Sequence, residues 1–515
     1  MTEPSGTSAA ASRCRPPGAL RRIGCAVALI ALVGGCGSDK GSGGAEEGPT
    51  TPPPESTSSS DAATTTSAPA PPNGISPRAL PSTFVELETD EFPRPAAEAC
   101  ADNETVTHVE AGESVADAVR DAEPGTTVEV EPGTYSDDNE GDFRALVLEA
   151  PDVCLRAAGG GEVVISPSAE QNIGIAVRAD EVVIEGFTMR GFEVGVGFDK
   201  EEGQTINDVT LERVKVGSPA GDYREGIIAF GDNREAGSAP ALDGLLLLDV
   251  TVEGTDQGIS CNAGPCEHWW LENVSVTGRQ QSEGSGADTF AIEEGRQIAV
   301  VSSSFAGAAA DGVDTKAEDV VVYGTRVSDI GRNGVKLWKG GDVINTLIDG
   351  TGADAALVGA GPARYRYLHV IVAHHGVGES GYVGSWGYDA GEPVELEIVN
   401  SIFFENATGG LYVTEGSTVS IRNTIFDDPD SKLLDVGGST YLVSDLAEVE
   451  ALGWASGVIV GDPGFSDGAG GDFTTASQSP ARDSGEVIEG LEIDIAGQPR
   501  SVGRAPDAGP YEAQD

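Results

Sequence analysis

One pattern recurs through most of this chain: a short strand signature, usually led by glycine, followed by a longer alternating apolar run. The short signatures fall at 173–177, 195–198, 226–230, 258–261, 312–316, 334–338 and 410–413. The longer runs fall at 182–190, 209–216, 245–253, 268–277, 298–305, 320–328, 343–348, 395–404 and 419–426. Units spaced about twenty to thirty residues apart lie in the range of solenoid repeats. A single unit leaves its apolar side in water, so only stacking closes a core. The chain is therefore expected to be all-β, a single-stranded right-handed parallel β-helix with a short N-terminal capping helix. Its 71 glycines and lack of long amphipathic stretches agree.

The N-terminus is organised differently. Arg13, Arg15, Arg21 and Arg22 precede an apolar run at 23–33, the charge and length of an export signal, too short to span a bilayer. The run ends in Leu32-Val33-Gly34-Gly35-Cys36, which resembles the lipobox of bacterial lipoproteins. That resemblance implies removal of 1–35, lipidation of Cys36 and an exported protein anchored at the cell surface. Residues 36–80, rich in Ser, Thr and Pro, cannot bury a core and read as a disordered tether. Then come a cap and first coil at 81–135, the β-helix at 136–440 and a C-terminal cap or tail at 441–515.

Cys14 and Cys25 would leave with the signal. Cys100, Cys154, Cys261 and Cys266 remain, and an even number in an exported chain argues for disulfides, most simply Cys100 with Cys154 and Cys261 with Cys266. A zinc site would want Cys-x-x-Cys pairs and spaced histidines, which are missing.

A net charge of -53 argues against a nucleic-acid partner and leaves the lipid as the expected membrane contact. An acidic shell also serves plain solubility or a saline habitat. An anionic polymer could approach only through local positive charge or a bridging cation. Nothing in the repeat calls for a partner subunit, and a monomer is expected.

Three successive coils supply that positive charge. They contain Asp288, Asp311 and Asn333, spaced 23 and 22 residues apart, and so should stack one strand spacing apart, about 4.8 Å. With Val313 and Thr315 pointing inward, Asp314 and Lys316 point out, as do Lys336 and Trp338 above and Ala291 and Glu293 below. Three of the chain's seven lysines, Lys316, Lys336 and Lys339, lie here with Arg332. Alternatively, Glu293, Asp314, Lys316 and Lys336 form a salt-bridge network that neutralises a repulsive ladder.

Outside this window, His374, His375 and Glu379 are a weaker acid-base or metal candidate, since adjacent histidines face apart. Trp269 and Trp270 also face apart. Asn273, Asn345, Asn400 and Asn423 sit near strand ends and are expected to stack as an asparagine ladder at an inner turn.

Several stretches resemble known families. Residues 114–122 followed by Pro124-Gly125-Thr126 and Pro132-Gly133-Thr134-Tyr135 resemble the opening of many β-helix proteins. Ser479-Pro480-Ala481-Arg482-Asp483, Asp494-Ile495-Ala496-Gly497 and Pro506-Asp507-Ala508-Gly509-Pro510-Tyr511 resemble the choice-of-anchor Q tail of bacterial surface proteins, expected to seal the far end of the solenoid. The three charged coils resemble the pectin-lyase-like superfamily of polysaccharide lyases, uronan epimerases and glycosidases. That resemblance implies a polysaccharide partner and calcium held by Asp288, Asp311 and Asp314. It further implies Lys316 as the base removing a uronate C5 proton, Arg332 or Lys336 stabilising the enolate, and sugar contacts by Trp338, Lys339, Glu293, Trp386 and Tyr388. Against the NTD, GDD and GHG coils of polygalacturonases, the aspartate pair is split here, Asn333 replaces the histidine, and no Arg-Ile-Lys element follows. A glycan-binding or envelope-structural role uses the same surface without catalysis.

Overall fold

The computed structural model describes residues 86–514 except 137–141, 169–170, 200–203, 218–224, 230–240, 263, 281–286, 353, 377–380, 388–390, 408 and 429–430. The signal, Cys36, the tether, Glu379 and Tyr388 lie outside the described residues. The body is a right-handed parallel β-helix whose strands form a 25-stranded and a 13-stranded sheet.

Coil stacking follows the sequence spacing. Val313 pairs with Phe290 below and Val335 above, and Asp314 with Ala291 and Lys336. Val313, Thr315, Val335 and Leu337 are fully buried in the interior, so the side chains between them face outward.

Each of the longer runs is in fact two strands meeting at a corner, so a coil has three strands. For example, 395–404 divides into Glu395–Val399 and Ile402–Phe404, and 343–348 into Gly341–Ile344 and Leu347–Thr351. The corner residue has positive φ: Arg213, Asp249, Asn273, Ser302, Asn345, His369, Asn400 and Asn423 lie between 46° and 55°, and Gly324 at 62°. Asparagine tolerates this left-handed backbone better than other side chains, which explains its recurrence at strand ends. The asparagines do not form the expected ladder. Ser302, Gly324 and His369 interrupt the column, and the amides of Asn345 and Asn400 bond to the C-terminal segment, to Ile493 O (2.8 Å) and Glu486 O (2.7 Å).

The helix Val115–Arg120, N-capped by Ser114, buries Val115, Ala116 and Val119 over the first coil. At the other end, Leu446–Ala451 inserts Val449 into the core. Residues 479–512 do not seal that end. They run along the flank, where Leu491 packs with Ile344, Leu368 and Val399, and Ala508 with Ile371 and Ile402.

A second strap comes from the N-terminal side. Phe92 meets Trp270 edge-on at 5.5 Å, Ala96 N–H donates to Glu212, and Cys100 is disulfide-bonded to Cys154. The second disulfide, Cys261 to Cys266, lies inside the core. Trp269 and Trp270 do face apart: Trp269 fills the interior, and Trp270 lies beneath the N-terminal strap. Together the straps cover an outward apolar strip from Leu246 to Val399. The charged coils sit on a different strand face.

Candidate functional site

The strand Val313–Tyr323 places Asp314 and Lys316 outward, and Val335–Leu337 places Lys336 directly above Asp314. Trp338 follows Leu337 and stands half-buried above Lys316. Its indole N–H donates to Asp314 Oδ1 at 2.8 Å. The Lys316 and Lys336 ammoniums lie 5.1 and 5.0 Å from its ring centroid, within cation–π range.

Below this layer the aspartates form a stitched column. Asp288 Oδ1 accepts the Asp311 backbone N–H at 2.8 Å, and Asp311 Oδ1 accepts that of Asn333 at 3.0 Å. Asn333 continues the column by donating its amide to Ala355 O at 2.7 Å. The remaining Asp311 oxygen and Asp314 Oδ2 face the Lys336 ammonium at 3.5 and 3.2 Å.

These contacts set the protonation states. Burial raises the Asp288 carboxyl to about 7, and the neighbouring Asp311 and Asp314 charges add to the rise against the hydrogen bond from Asp311. Burial also raises Asp314, opposed by Lys336. Burial lowers the Lys336 ammonium, but Asp314 and Asp311 outweigh it and the net shift is upward, so Lys336 stays charged.

The residues do not fit the expected calcium ion. Five of the six oxygens of Asp288, Asp311 and Asp314 already accept hydrogen bonds from backbone, indole or ammonium. Lys336 supplies the positive charge between Asp311 and Asp314. Calcium would need those oxygens as ligands.

The expected salt-bridge network is present and extends further than the four residues expected. Lys316 donates to Glu293, Arg332 to Asp354 at 2.7 Å, and Lys339 to Glu318 at 3.4 Å. Trp386 belongs elsewhere: it is fully buried in the interior and donates to Tyr367 Oη at 3.1 Å, so it offers no face to a sugar. Its register partners, Gly359 and Val413, are inward positions, so strand alternation turns Trp386 into the core and not toward a sugar as expected. His374 and His375 diverge as expected. His374 pairs with Asp349 at 2.6 Å, and His375 is buried against Thr351 at 2.8 Å.

The spacing missed one group of ligand-type side chains. Among the described residues, Asp243, Glu267 and His268 bring three ligand atoms within 4.8 Å of one another. Their register pairing, Asp243 with Glu267, was legible only once the corners were placed. His268 binds Asp243 (2.6 Å) and Glu88 of the N-terminal strap (3.2 Å), and Arg296 binds Glu267 (3.1 Å). It is a closed ion-pair network holding the strap.

No protein-family model matches the chain, and no curated protein does. The fold is similar to that of pectate lyase Pel9A, at TM-score 0.43 and 13% identity over 81% of this chain and 100% of the other. It is similar to the mannuronan C-5 epimerase AlgE4 A-module of Azotobacter vinelandii, at 0.35 and 16% over 65% and 94%. The catalytic unit of an α-1,3-glucanase of Streptomyces thermodiastaticus matches at 0.33 and 13% over 74% and 70%.

Proposed function

We propose that this protein is a surface-tethered, carbohydrate-active β-helix that acts on an acidic, uronate-containing polysaccharide at the outward face of coils 288–339. One observation carries the proposal: a near-neutral carboxyl, Asp288, beside a permanently charged Lys336, with Trp338 between two ammoniums. Proton transfer at neutral pH needs a group whose pKa lies near 7, and Asp288 is such a group. A uronate needs cationic partners and a ring to stack on, and Lys336, Arg332 and Trp338 supply them.

The chemistry would be C5 proton abstraction, leading to β-elimination or epimerisation. Lys336 and Arg332 would hold the uronate carboxylate and stabilise the enolate. Lys316, half-buried beside Trp338, would first give up its ammonium proton to solvent when substrate displaces Glu293, and as the neutral amine would take the C5 proton. Asp288, in its protonated form, would deliver a proton to the departing O4 in elimination or to the opposite face of C5 in epimerisation.

A non-catalytic glycan-binding role is favoured by a different observation, namely that each cation of the patch is paired with a carboxylate. Release of unsaturated uronide ends decides between them. A panel of acidic polysaccharides is incubated with wild type and with Lys316→Ala, with and without calcium, and ultraviolet absorbance is followed with an assay for epimerised products. Absorbance lost in the variant supports the lyase and its base. Tight binding with neither product supports the binding role.

A further inference from the structure

One coil below Glu293 the outward surface stays polar and loses its charge. The strand Gln257–Cys261 aligns Ile259 with Phe290, Ser260 with Ala291 and Cys261 with Ile292. Followed upward, the Ser260 column runs through Ala291 and Asp314 to Lys336, three coil steps or about 14 Å. In the same register Asn262 stands one coil below Glu293. Ile259 and Cys261 fill the interior, so Ser260 points outward, between Gln257 and Asn262 in the chain.

The polar groups of these three side chains are only partly satisfied. Gln257 and Asn262 exchange amide hydrogen bonds at 3.3 and 3.2 Å, at the long end of the N–H···O range. Each amide has two N–H groups and an oxygen with two lone pairs, so each keeps a donor and an acceptor position to spare. Both residues are half-buried, with part of their surface in solvent. Ser260 is 1% exposed, and its hydroxyl is buried without a hydrogen-bond partner. A buried hydroxyl left unpaired costs free energy, and a ligand that supplies the missing partner recovers it. The Cys261–Cys266 disulfide closes the loop that begins at Asn262, so the place of Asn262 is set before anything binds.

Charge decides which kind of sugar fits here. Residues 241–278 contain no lysine or arginine, whereas Lys316, Arg332 and Lys336 lie in the coils above. A uronan continuing down from the charged patch would bring its carboxylates to a stretch without counter-charge, in a chain of net charge -53. A neutral sugar meets no such penalty. Its hydroxyls both donate and accept, which matches two carboxamides and a serine.

We infer that Gln257, Ser260 and Asn262 form a neutral-sugar subsite, and that the polysaccharide held at the Trp338 patch carries an uncharged unit about three residues from its reacting uronate, one pyranose per coil step. On binding, the long amide pair parts, each amide turns toward the sugar hydroxyls, and Ser260 gains the partner it lacks. This inference rests on the acidic-glycan proposal above and adds that the substrate is a mixed glycan and not a homouronan.

The test is calorimetric binding of two octasaccharides to the full chain. One comes from polygalacturonate, in which every unit is charged, and the other from hyaluronan, in which glucuronate alternates with a neutral N-acetylated sugar. Three units from any uronate, that alternation places a neutral sugar. Wild type should bind the alternating octamer about tenfold more tightly, the worth of one or two net hydrogen bonds. Ser260→Ala removes a hydroxyl that bonds to nothing in the free protein. Its thermal midpoint should therefore match or exceed that of wild type, while its affinity for the alternating octamer falls about fivefold. Gln257→Ala and Asn262→Ala should each bring the ratio of the two affinities toward one and leave binding of the polygalacturonate octamer unchanged. A wild type that binds both octamers equally or prefers polygalacturonate, or a preference that persists in all three variants, overturns the neutral subsite and leaves the acidic-glycan proposal standing. Absence of binding by wild type to either octamer overturns both.

Discussion

Lys336 Nζ lies 3.2 Å from Asp314 Oδ2 and 3.5 Å from Asp311 Oδ2, at a half-buried point between two successive coils. It is the counter-charge that allows a stacked carboxylate ladder to exist. Replacing it with methionine keeps the length and removes the charge, leaving Asp311 and Asp314 uncompensated. The expected cost is about 3 kcal/mol at pH 7, as for removing one partner of a buried pair. Chemical denaturation of Lys336→Met checks this. The loss should shrink as pH falls from 7 toward 4, because protonation of the aspartates removes the repulsion.

Asp288 makes the stability of the protein pH-dependent. Its folded pKa, about 7, lies above the ordinary aspartate value of 3.8, so its contribution is fully present below about pH 4 and is lost as pH rises through 7. The expected decline is on the order of 3 kcal/mol across that window. Asp288→Asn retains an oxygen for the Asp311 N–H and does not titrate. Its denaturation midpoint should vary less between pH 5 and 8 than that of wild type.

Ser302 occupies a corner at a φ of 48°. The same corner one coil above is Gly324, at 62°. A left-handed backbone costs a non-glycine residue about 1 kcal/mol or more, partly offset by the extra freedom glycine gives the unfolded chain. Ser302→Gly is expected to leave stability level or raise it by about 0.5 kcal/mol. Gly324→Val should lower it by about 2 kcal/mol, since a β-branched residue suits that region least. Urea titration of both variants measures the difference.

Arg500 is 1% exposed and donates to Asn345, to Gly509 O (2.9 Å) and to Pro510 O (2.7 Å). Burial lowers its pKa to about 10 against the pull of Asp494 and Glu512. It pins the C-terminal strap to a corner of the solenoid. Arg500→Met should cost about 3 to 5 kcal/mol. Limited proteolysis should then cut within 479–512 before the body is attacked.

The sequence displayed the stacking plainly because the repeat is periodic and alternation is a hard steric rule. Val313, Asp314 and Lys336 could be assigned to faces without coordinates, and the three-coil cluster assembled where the spacing put it. The corners were harder. Arg213, Ser302 and His369 take a left-handed backbone that their identities do not advertise, so each two-strand segment looked like one run. Trp386 was misjudged as a sugar platform because an aromatic near a candidate site attracts that role, although its own register marks it as inward. The poor fit of Asp288, Asp311 and Asp314 to calcium turns on a feature no spacing carries, the reach of the Lys336 side chain into the carboxylates. Tyr382 and Tyr412, whose rings lie 5.5 Å apart, are 30 residues apart in the chain and become neighbours only through the ladder.

The N-terminal strap also fixes how the body would bear load. It enters beside Gln297, whose amide bonds to Glu86 O at 3.2 Å, passes Trp270 and Thr210, and reaches Cys154 through the Cys100 disulfide. A pull from the N-terminal side therefore acts first on one weak contact after another, peeling 86–99 away while the solenoid stays stacked. The disulfide ends the peeling and transfers tension to the lowest coils. Up to that point the strap is a short shock absorber, and the strand face carrying Lys336 and Trp338 feels none of the force.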